Sequence, residues 1–119
     1  MKYERYKGKE DDFQKSVARY LDSLGVVWFH SPNEIKAKVQ YLSKRKQMGV
    51  KSGVPDVLIL ESNKQYKGLA IELKAGYNKP SEAQIEWINK LTKVGFKAIW
   101  SNSLDEVLNI IDNYLVDRK

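Results

Sequence analysis

The spacing of apolar positions changes along the chain, and each change marks a different element. Between residues 10 and 24, apolar side chains recur every three or four positions, which predicts an amphipathic helix, and Gly25 stands where a left-handed cap would end it. Residues 26–30 are β-branched or aromatic, and Ser31-Pro32 follows them. This second run predicts a strand, so we expect a helix followed by a strand.

Two apolar runs in the middle of the chain, 54–60 and 69–74, enclose a polar run typical of a hairpin turn. With the turn centred midway between them, the numbers of facing positions add up to about 128, so Asp56 is expected to face Glu72. Side chains alternate along a strand, and this places Lys74 on the same face as Glu72. Two carboxylates and a lysine therefore converge at one end of the hairpin.

Two capping-box patterns mark the starts of two further helices. Ser81 is the expected N-cap of a helix over residues 82–94, and Gln84 is its third residue. Ser103 and Glu106 repeat this pattern at the start of a final amphipathic helix. Each pattern pairs an N-cap hydroxyl with a polar side chain three residues later. We expect both boxes to form.

The remaining strand, 96–100, is reached through a helix, so a right-handed crossover would set it parallel to strand 69–74. The predicted order is α-β-β-β-α-β-α. It indicates an α/β fold with a mixed sheet of about four strands flanked by helices. The chain of 119 residues suits a single domain over 1–119.

Composition narrows the chemistry that such a domain can carry. The chain has no cysteine and one histidine, which excludes disulfide scaffolds, thiol nucleophiles and zinc fingers. Oxygen ligands remain, and these suit Mg²⁺, Mn²⁺ or Ca²⁺. No apolar run approaches the roughly 20 residues of a membrane span, and the start lacks a secretory pattern, so we expect no membrane partner and a cytoplasmic location.

Basic residues exceed acidic residues by 21 to 15, for a net charge of +6, and most of the excess falls in one segment. Segment 34–51, here called the basic arm, carries one acid and six basic residues, Lys36, Lys38, Lys44, Arg45, Lys46 and Lys51. Its apolar spacing indicates that part of it is helical. We expect it to contact DNA phosphates or a second copy of the chain, and the alternative is a solvated surface helix.

Asp56 and Glu72 would raise each other's pKa unless a cation lay between them. With no cysteine and no nearby histidine, the natural cation is Mg²⁺ or Mn²⁺. Lys74 on the same face could contact a scissile phosphate or orient a water. The alternative is a surface salt-bridge cluster, which would contribute little.

Polar residues also interrupt the apolar stripes of two helices. Glu10 and Gln14 continue the stripe of the first helix, where a carboxylate could reach the metal and the amide could orient it or a phosphate. The alternative for Glu10 is compensation of the helix dipole. Gln84 shares a stripe with Trp87, and its alternative is a purely capping role.

These residues together carry a resemblance to a nuclease family. Val54-Pro55-Asp56, fifteen intervening residues and then Glu72-Leu73-Lys74 match the PD-(D/E)xK pattern. The flanking motifs sharpen this match, and over roughly residues 10–100 the sequence resembles the VRR-NUC branch, the virus-type replication-repair nucleases. Those motifs are Glu10 with Gln14, Ser31-Pro32-Asn33 and Ser81-Glu82-Ala83-Gln84.

The resemblance implies a restriction-endonuclease-like core and metal-dependent cleavage of DNA. Asp56, Glu72 and the backbone carbonyl of Leu73 would hold Mg²⁺ or Mn²⁺, and Glu10 would join them. Lys74 would position the attacking water, and Gln84 would support the lysine or the phosphate. The residues expected to contact DNA are Gln14, Asn33, Lys36, Lys38, Lys44, Arg45, Lys46 and Lys51.

Small stand-alone members of this family resemble dimeric resolvases of four-way DNA junctions. The expectation is therefore a homodimer that cuts Holliday junctions, with one nick from each subunit and no small-molecule cofactor. A phage or prophage gene fits this form, and the bacterial host cytoplasm would be its location. Two alternatives stay open: a non-catalytic DNA-binding module, and a nuclease that cuts linear or flap DNA.

Overall fold

The computed structural model describes residues 3–32 and 39–118 and has the expected α/β architecture. These residues form four helices and four strands, in the order α1 (Glu10–Leu24), β1 (Trp28–His30), α2 (Val39–Gln47), β2 (Val57–Ile59), β3 (Leu69–Leu73), α3 (Glu82–Lys93), β4 (Lys97–Ser101) and α4 (Leu104–Val116). Within the described ranges, no helix is long and apolar enough to cross a membrane.

The four strands form one mixed sheet in the order β1-β2-β3-β4. β2 pairs antiparallel with both β1 and β3, while β3 and β4 are parallel and joined through α3. Val57 faces Ile71 and Ile59 faces Leu69, which confirms the predicted hairpin register. One step further along the hairpin, the same register sets Asp56 against Glu72.

The main core lies between the sheet and the helix pair α1 and α4. Phe13, Val17 and Leu21 of α1 meet Val107 and Ile111 of α4 over the apolar face of β2 and β3. α3 contacts β3 and β4 but contributes no fully buried residue. Because β3 is an inner strand with both faces covered, all five of its residues are buried, including one carboxylate.

The two predicted helix caps differ in outcome. Ser81 and Gln84 form the complete capping box, with both reciprocal bonds present. Ser103 accepts the N–H of Glu106, but the prediction that the Glu106 side chain accepts the Ser103 N–H in return is wrong. The hydroxyl of Ser101 accepts the Ser103 N–H and donates to the Glu106 carboxylate, so Glu106 is engaged elsewhere.

The apolar run 54–60 forms a strand only over β2, because its first part is a loop shaped by Gly53 and Pro55. Pro55 has no N–H to donate to a ladder. Gly53 has a φ of 89°, and a Cβ there would lie 2.7 Å from the backbone carbonyl of Ala83 in α3. The loop that precedes Asp56 is therefore packed against the first turn of α3.

Part of the basic arm is helical, as expected, since α2 occupies its centre. Asn33, Lys36 and Lys38 lie outside the described residues.

Candidate active site

Three carboxylates from three separate elements meet where the β2–β3 hairpin opens. One oxygen each from Glu10 at the start of α1, Asp56 just before β2 and Glu72 in β3 lie within 4.8 Å of one another. They open into a cleft of about 410 Å³. The described residues that line this cleft, called the catalytic cleft below, are Glu10, Asp11, Gln14, His30, Pro32, Asp56, Glu72, Leu73, Lys74 and Gln84.

Asp56 is fixed through both its side chain and its backbone. Its Oδ2 accepts the N–H of Leu73 at 2.8 Å across the hairpin. Its backbone carbonyl accepts the Ser31 N–H at 2.9 Å and lies 2.8 Å from Nδ1 of His30. The carboxylate is therefore held in one orientation by the strands on either side of it.

Glu10 reaches the group because the first turn of α1 ends beside β3. Its Oε2 accepts the Ala75 N–H at 3.5 Å, which ties this turn to the residue that follows Lys74. Asp11 and Asp12 share the turn and also suit the positive end of the helix dipole. Among these three acids, Glu10 joins the carboxylate group found within the described residues.

Glu72 is 1% exposed, yet only one of its oxygens is engaged. Oε2 accepts Nε2 of Gln84 at 3.2 Å and lies 3.5 Å from Nζ of Lys74. Oε1 is buried and has no hydrogen-bond partner within the described part of the chain. An ionised oxygen left this way costs a few kcal/mol, so the site is unbalanced unless Glu72 is protonated or a further cation offsets its charge.

The electrostatics of the site reflect that imbalance. Burial, together with the negative charge of Asp56, raises the pKa of Glu72 to about 9. Lys74 acts in the opposite direction but does not overcome the burial. A divalent cation among the three carboxylates would favour the ionised form, and hard cations such as Mg²⁺ prefer these oxygen ligands.

Lys74 and Gln84 bracket the buried carboxylate. The Lys74 side chain is 13% exposed and borders the cleft, so the pair it forms with Glu72 is not an exposed surface salt bridge. Gln84 serves two purposes: its Oε1 accepts the Ser81 N–H at 2.8 Å while its Nε2 donates to Glu72. Gln84 therefore completes the cap of α3 and also contacts the buried carboxylate.

Gln14 also reaches the cleft from the apolar stripe of α1. Its Oε1 is buried and, like Oε1 of Glu72, lacks a partner within the described residues. Two unsatisfied acceptor oxygens thus line one cleft. This pattern fits a bound cation and its water shell.

The predicted DNA-contacting basic residues that the structure describes do not line this cleft. Lys44, Arg45 and Lys46 lie in the last turn of α2, and Lys51 follows in the loop. They are exposed, and Arg45, Lys46 and Lys51 border a second cavity against α3. The clustered carboxylates and these described basic residues therefore form two neighbouring groups rather than one.

The sequence pattern missed one prominent residue of the cleft, His30. A carbonyl can only accept, so the Asp56 carbonyl assigns the hydrogen of the neutral ring to Nδ1 and leaves Nε2 as an acceptor. The available signal was its position, as the only histidine and the last residue of the first strand. Its neighbour across the β1–β2 pair is not visible from local periodicity.

Comparison with known proteins places this geometry in a family. The VRR-NUC domain family matches residues 6–104. A solved structure described as a VRR_NUC domain protein is 30% identical in sequence to this chain and superposes on it with a TM-score of 0.77. The match covers 92% of this chain and 90% of the chain in that structure. Among curated proteins, none matches this chain. The chain therefore belongs to the VRR-NUC domain family, which implies a nuclease function that processes DNA.

Proposed function

We propose that this protein is an Mg²⁺- or Mn²⁺-dependent DNA endonuclease that hydrolyses phosphodiester bonds in the catalytic cleft. The observation that carries the proposal is the meeting of Glu10, Asp56 and the buried Glu72 within 4.8 Å. The unpartnered Oε1 of Glu72 supports a cation at this point, because Lys74 lies against the other oxygen, Oε2, and leaves Oε1 without a partner among the described residues.

The clustered carboxylates of the cleft share one role in this proposal. Asp56, Glu72 and Glu10 hold the cation with their carboxylates, and the backbone carbonyl of Leu73 completes the set. The cation supplies positive charge that lowers the pKa of a water and neutralises the phosphate. The bond from the Leu73 N–H keeps Asp56 in register with that carbonyl.

Lys74 and Gln84 are proposed to act on the water and the phosphate. The ammonium of Lys74 lies at the cleft wall, where it donates to the attacking water or to a phosphate oxygen. Gln84 fixes the Oε2 that Glu72 shares with Lys74, and so limits where the ammonium can lie. Gln14, with its unpartnered oxygen, orients the metal shell or the phosphate.

The finer proposal is a homodimeric resolvase of four-way junctions, formed from one domain over residues 1–119. A junction is resolved by two nicks on symmetry-related strands, and a two-fold pair of subunits supplies two clefts. The exposed basic residues of the arm support DNA binding beside the cleft. A phage-encoded enzyme acting in the cytoplasm of a bacterial host fits this form.

The test is incubation of the purified protein with a labelled immobile four-way junction and its matched linear duplex, in Mg²⁺, Mn²⁺ or EDTA. Paired symmetric nicks in the junction alone, lost in EDTA, are the expected result. Cleavage of the linear duplex would contradict the selectivity, and binding without any cut would contradict the enzyme. Sedimentation of the protein alone and with the junction tests the dimer.

A further inference from the structure

A second cavity lies between α2, the loop after it and α3, and it shares no described lining residue with the catalytic cleft. Its volume of about 530 Å³ is of the size that ligand sites occupy. One aromatic ring and several cations form its walls. The hydrolysis proposed above does not use these groups.

The charge of this cavity favours an anion. Arg45, Lys46, Lys51 and Lys90 line it, and Glu86 is the single carboxylate among its described lining residues. All four cationic residues are exposed, so they keep their mobility and can turn toward a ligand. Arginine and lysine side chains in this arrangement suit phosphate oxygens.

The aromatic ring of Trp87 adds a second requirement that a ligand of this cavity has to meet. Trp87 is half-buried on α3, so its ring is fixed on one side and open toward the cavity on the other. Nζ of Lys90 lies 5.1 Å from the ring centroid, a cation–π distance. An indole beside phosphate-binding cations is a stacking surface for a nucleobase. A nucleotide meets both requirements, and a free phosphate meets only the first.

The cavity adjoins the catalytic cleft through α3. Ala83 borders the cavity and the next residue, Gln84, borders the cleft. Gly53 packs directly on Ala83, so the loop that carries Asp56 touches the same turn. A DNA strand with a phosphate in the cleft therefore has its neighbouring nucleotides beside the cavity.

We propose that this cavity binds one unpaired nucleotide of the DNA strand that is cut, with its base on Trp87 and its phosphate on Arg45, Lys46 and Lys51. The inference rests on the proposed nuclease function and names the feature of the substrate that the enzyme recognises. A paired base is stacked inside the duplex, so only an unpaired or extruded base reaches Trp87. DNA in which a base beside the cut is unpaired, or can be extruded from the stack, is therefore the preferred substrate class.

The test measures binding in EDTA, where no cleavage occurs. A fluorescent oligothymidylate and a matched duplex are titrated with wild type, Trp87→Ala and Trp87→Phe. We expect Trp87→Ala to weaken single-strand binding about 5-fold or more and to leave duplex binding unchanged, because stacking of one base is lost. Trp87→Phe retains most of the single-strand affinity. Thermal melting of each variant verifies the fold.

A matched pair of lysines on α3 provides a second test that keeps the Trp87 side chain in place. Lys90 lines the cavity, whereas Lys93 in the last turn of the same helix does not. We expect Lys90→Ala to weaken single-strand binding and Lys93→Ala to leave it unchanged. Equal effects of the two substitutions would overturn the proposal.

Three further outcomes would overturn it. The first is wild-type single-strand affinity in Trp87→Ala, and the second is an equal loss for single strand and duplex. The third is displacement of the oligonucleotide by polyglutamate in wild type but not in Trp87→Ala, which would assign the cavity to an acidic peptide. Cutting without Trp87-dependent binding contradicts this inference alone, and Trp87-dependent binding without cutting contradicts only the nuclease proposal.

Discussion

Glu72 is the residue on which the site depends most, because it places a carboxylate in the inner strand of the sheet. It is 1% exposed and shares its Oε2 between Gln84 and Lys74, while its Oε1 has no partner among the described residues. Burial favours the protonated form, and a bound cation favours the ionised form. The charge of Glu72 would thus be coupled to the binding of a cation at this site.

This coupling predicts the pH dependence of stability in the metal-free protein. Unfolded, Glu72 loses its proton near the ordinary value of 4.5, whereas in the fold its raised pKa of about 9 keeps the proton. The folded state then binds more protons between these values, so the free energy of unfolding falls as pH rises, by at most about 1.4 kcal/mol per pH unit. Thermal melts in EDTA from pH 5 to 8 measure the slope.

The matched variant for this prediction is Glu72→Gln, which keeps the shape of the side chain and removes the ionisation. We expect its melting temperature to change little over the same pH range. A wild-type profile without a downward slope, or an equal slope in Glu72→Gln, would show that burial of Glu72 does not control stability.

We make a separate prediction for Lys74, because its ammonium borders the cleft but is not one of the three clustered carboxylates. Lys74→Ala is expected to lower the rate of junction cleavage by about 100-fold or more, the usual loss when a group that positions a reacting proton is removed. Binding of the uncut junction in EDTA should persist. Lys64→Ala, at the opposite end of the hairpin, is the control and should cut normally.

At the level of elements, α3 connects the two sites of the molecule. Its first turn carries Gln84 toward Glu72 and receives the loop at Gly53, while Trp87 faces the cavity one turn later. A shift of α3 against the sheet would therefore disturb the catalytic cleft and the cavity together. The contact between Gly53 and Ala83 fixes the position of α3 relative to the loop that carries Asp56.

Substitution of Gly53 tests that contact. Gly53→Ala places a Cβ 2.7 Å from the Ala83 carbonyl at a left-handed φ of 89°, and we expect a loss of about 1–3 kcal/mol in the free energy of unfolding. Gly49→Ala is the control, because Gly49 has a φ of 97° with nothing within 4 Å of the added Cβ. Urea denaturation of both variants should give the larger loss at Gly53, and equal losses would contradict the close packing.

At the level of the whole molecule, we expect the exposed basic residues around the cavity to contribute to the attraction of DNA. Each phosphate contact releases condensed counterions, so the logarithm of duplex affinity falls linearly with the logarithm of salt concentration. Lys51→Ala is expected to make that slope shallower by about 0.9. Lys64→Ala should leave it unchanged, and an unaltered slope in Lys51→Ala would remove Lys51 from the DNA contact.

The sequence predicted the site better than its surroundings, for physical reasons. Asp56 and Glu72 could be paired because a hairpin has one register once its turn is located. The role of Ser101 in the cap of α4 and the position of His30 depend on contacts between elements, which local periodicity does not report. The cavity around Trp87 joins residues from two helices for the same reason.

The measurement that tests the central claim most directly is cleavage of a labelled junction by wild type and Asp56→Asn, in Mg²⁺ and in EDTA. Asparagine retains an oxygen that can accept the Leu73 N–H, so the fold should persist while the charge of the carboxylate group is reduced. The account predicts cleavage by wild type in Mg²⁺ alone and junction binding without cleavage by Asp56→Asn. Cleavage in EDTA, or by Asp56→Asn in Mg²⁺, would contradict a metal-dependent site at Glu10, Asp56 and Glu72.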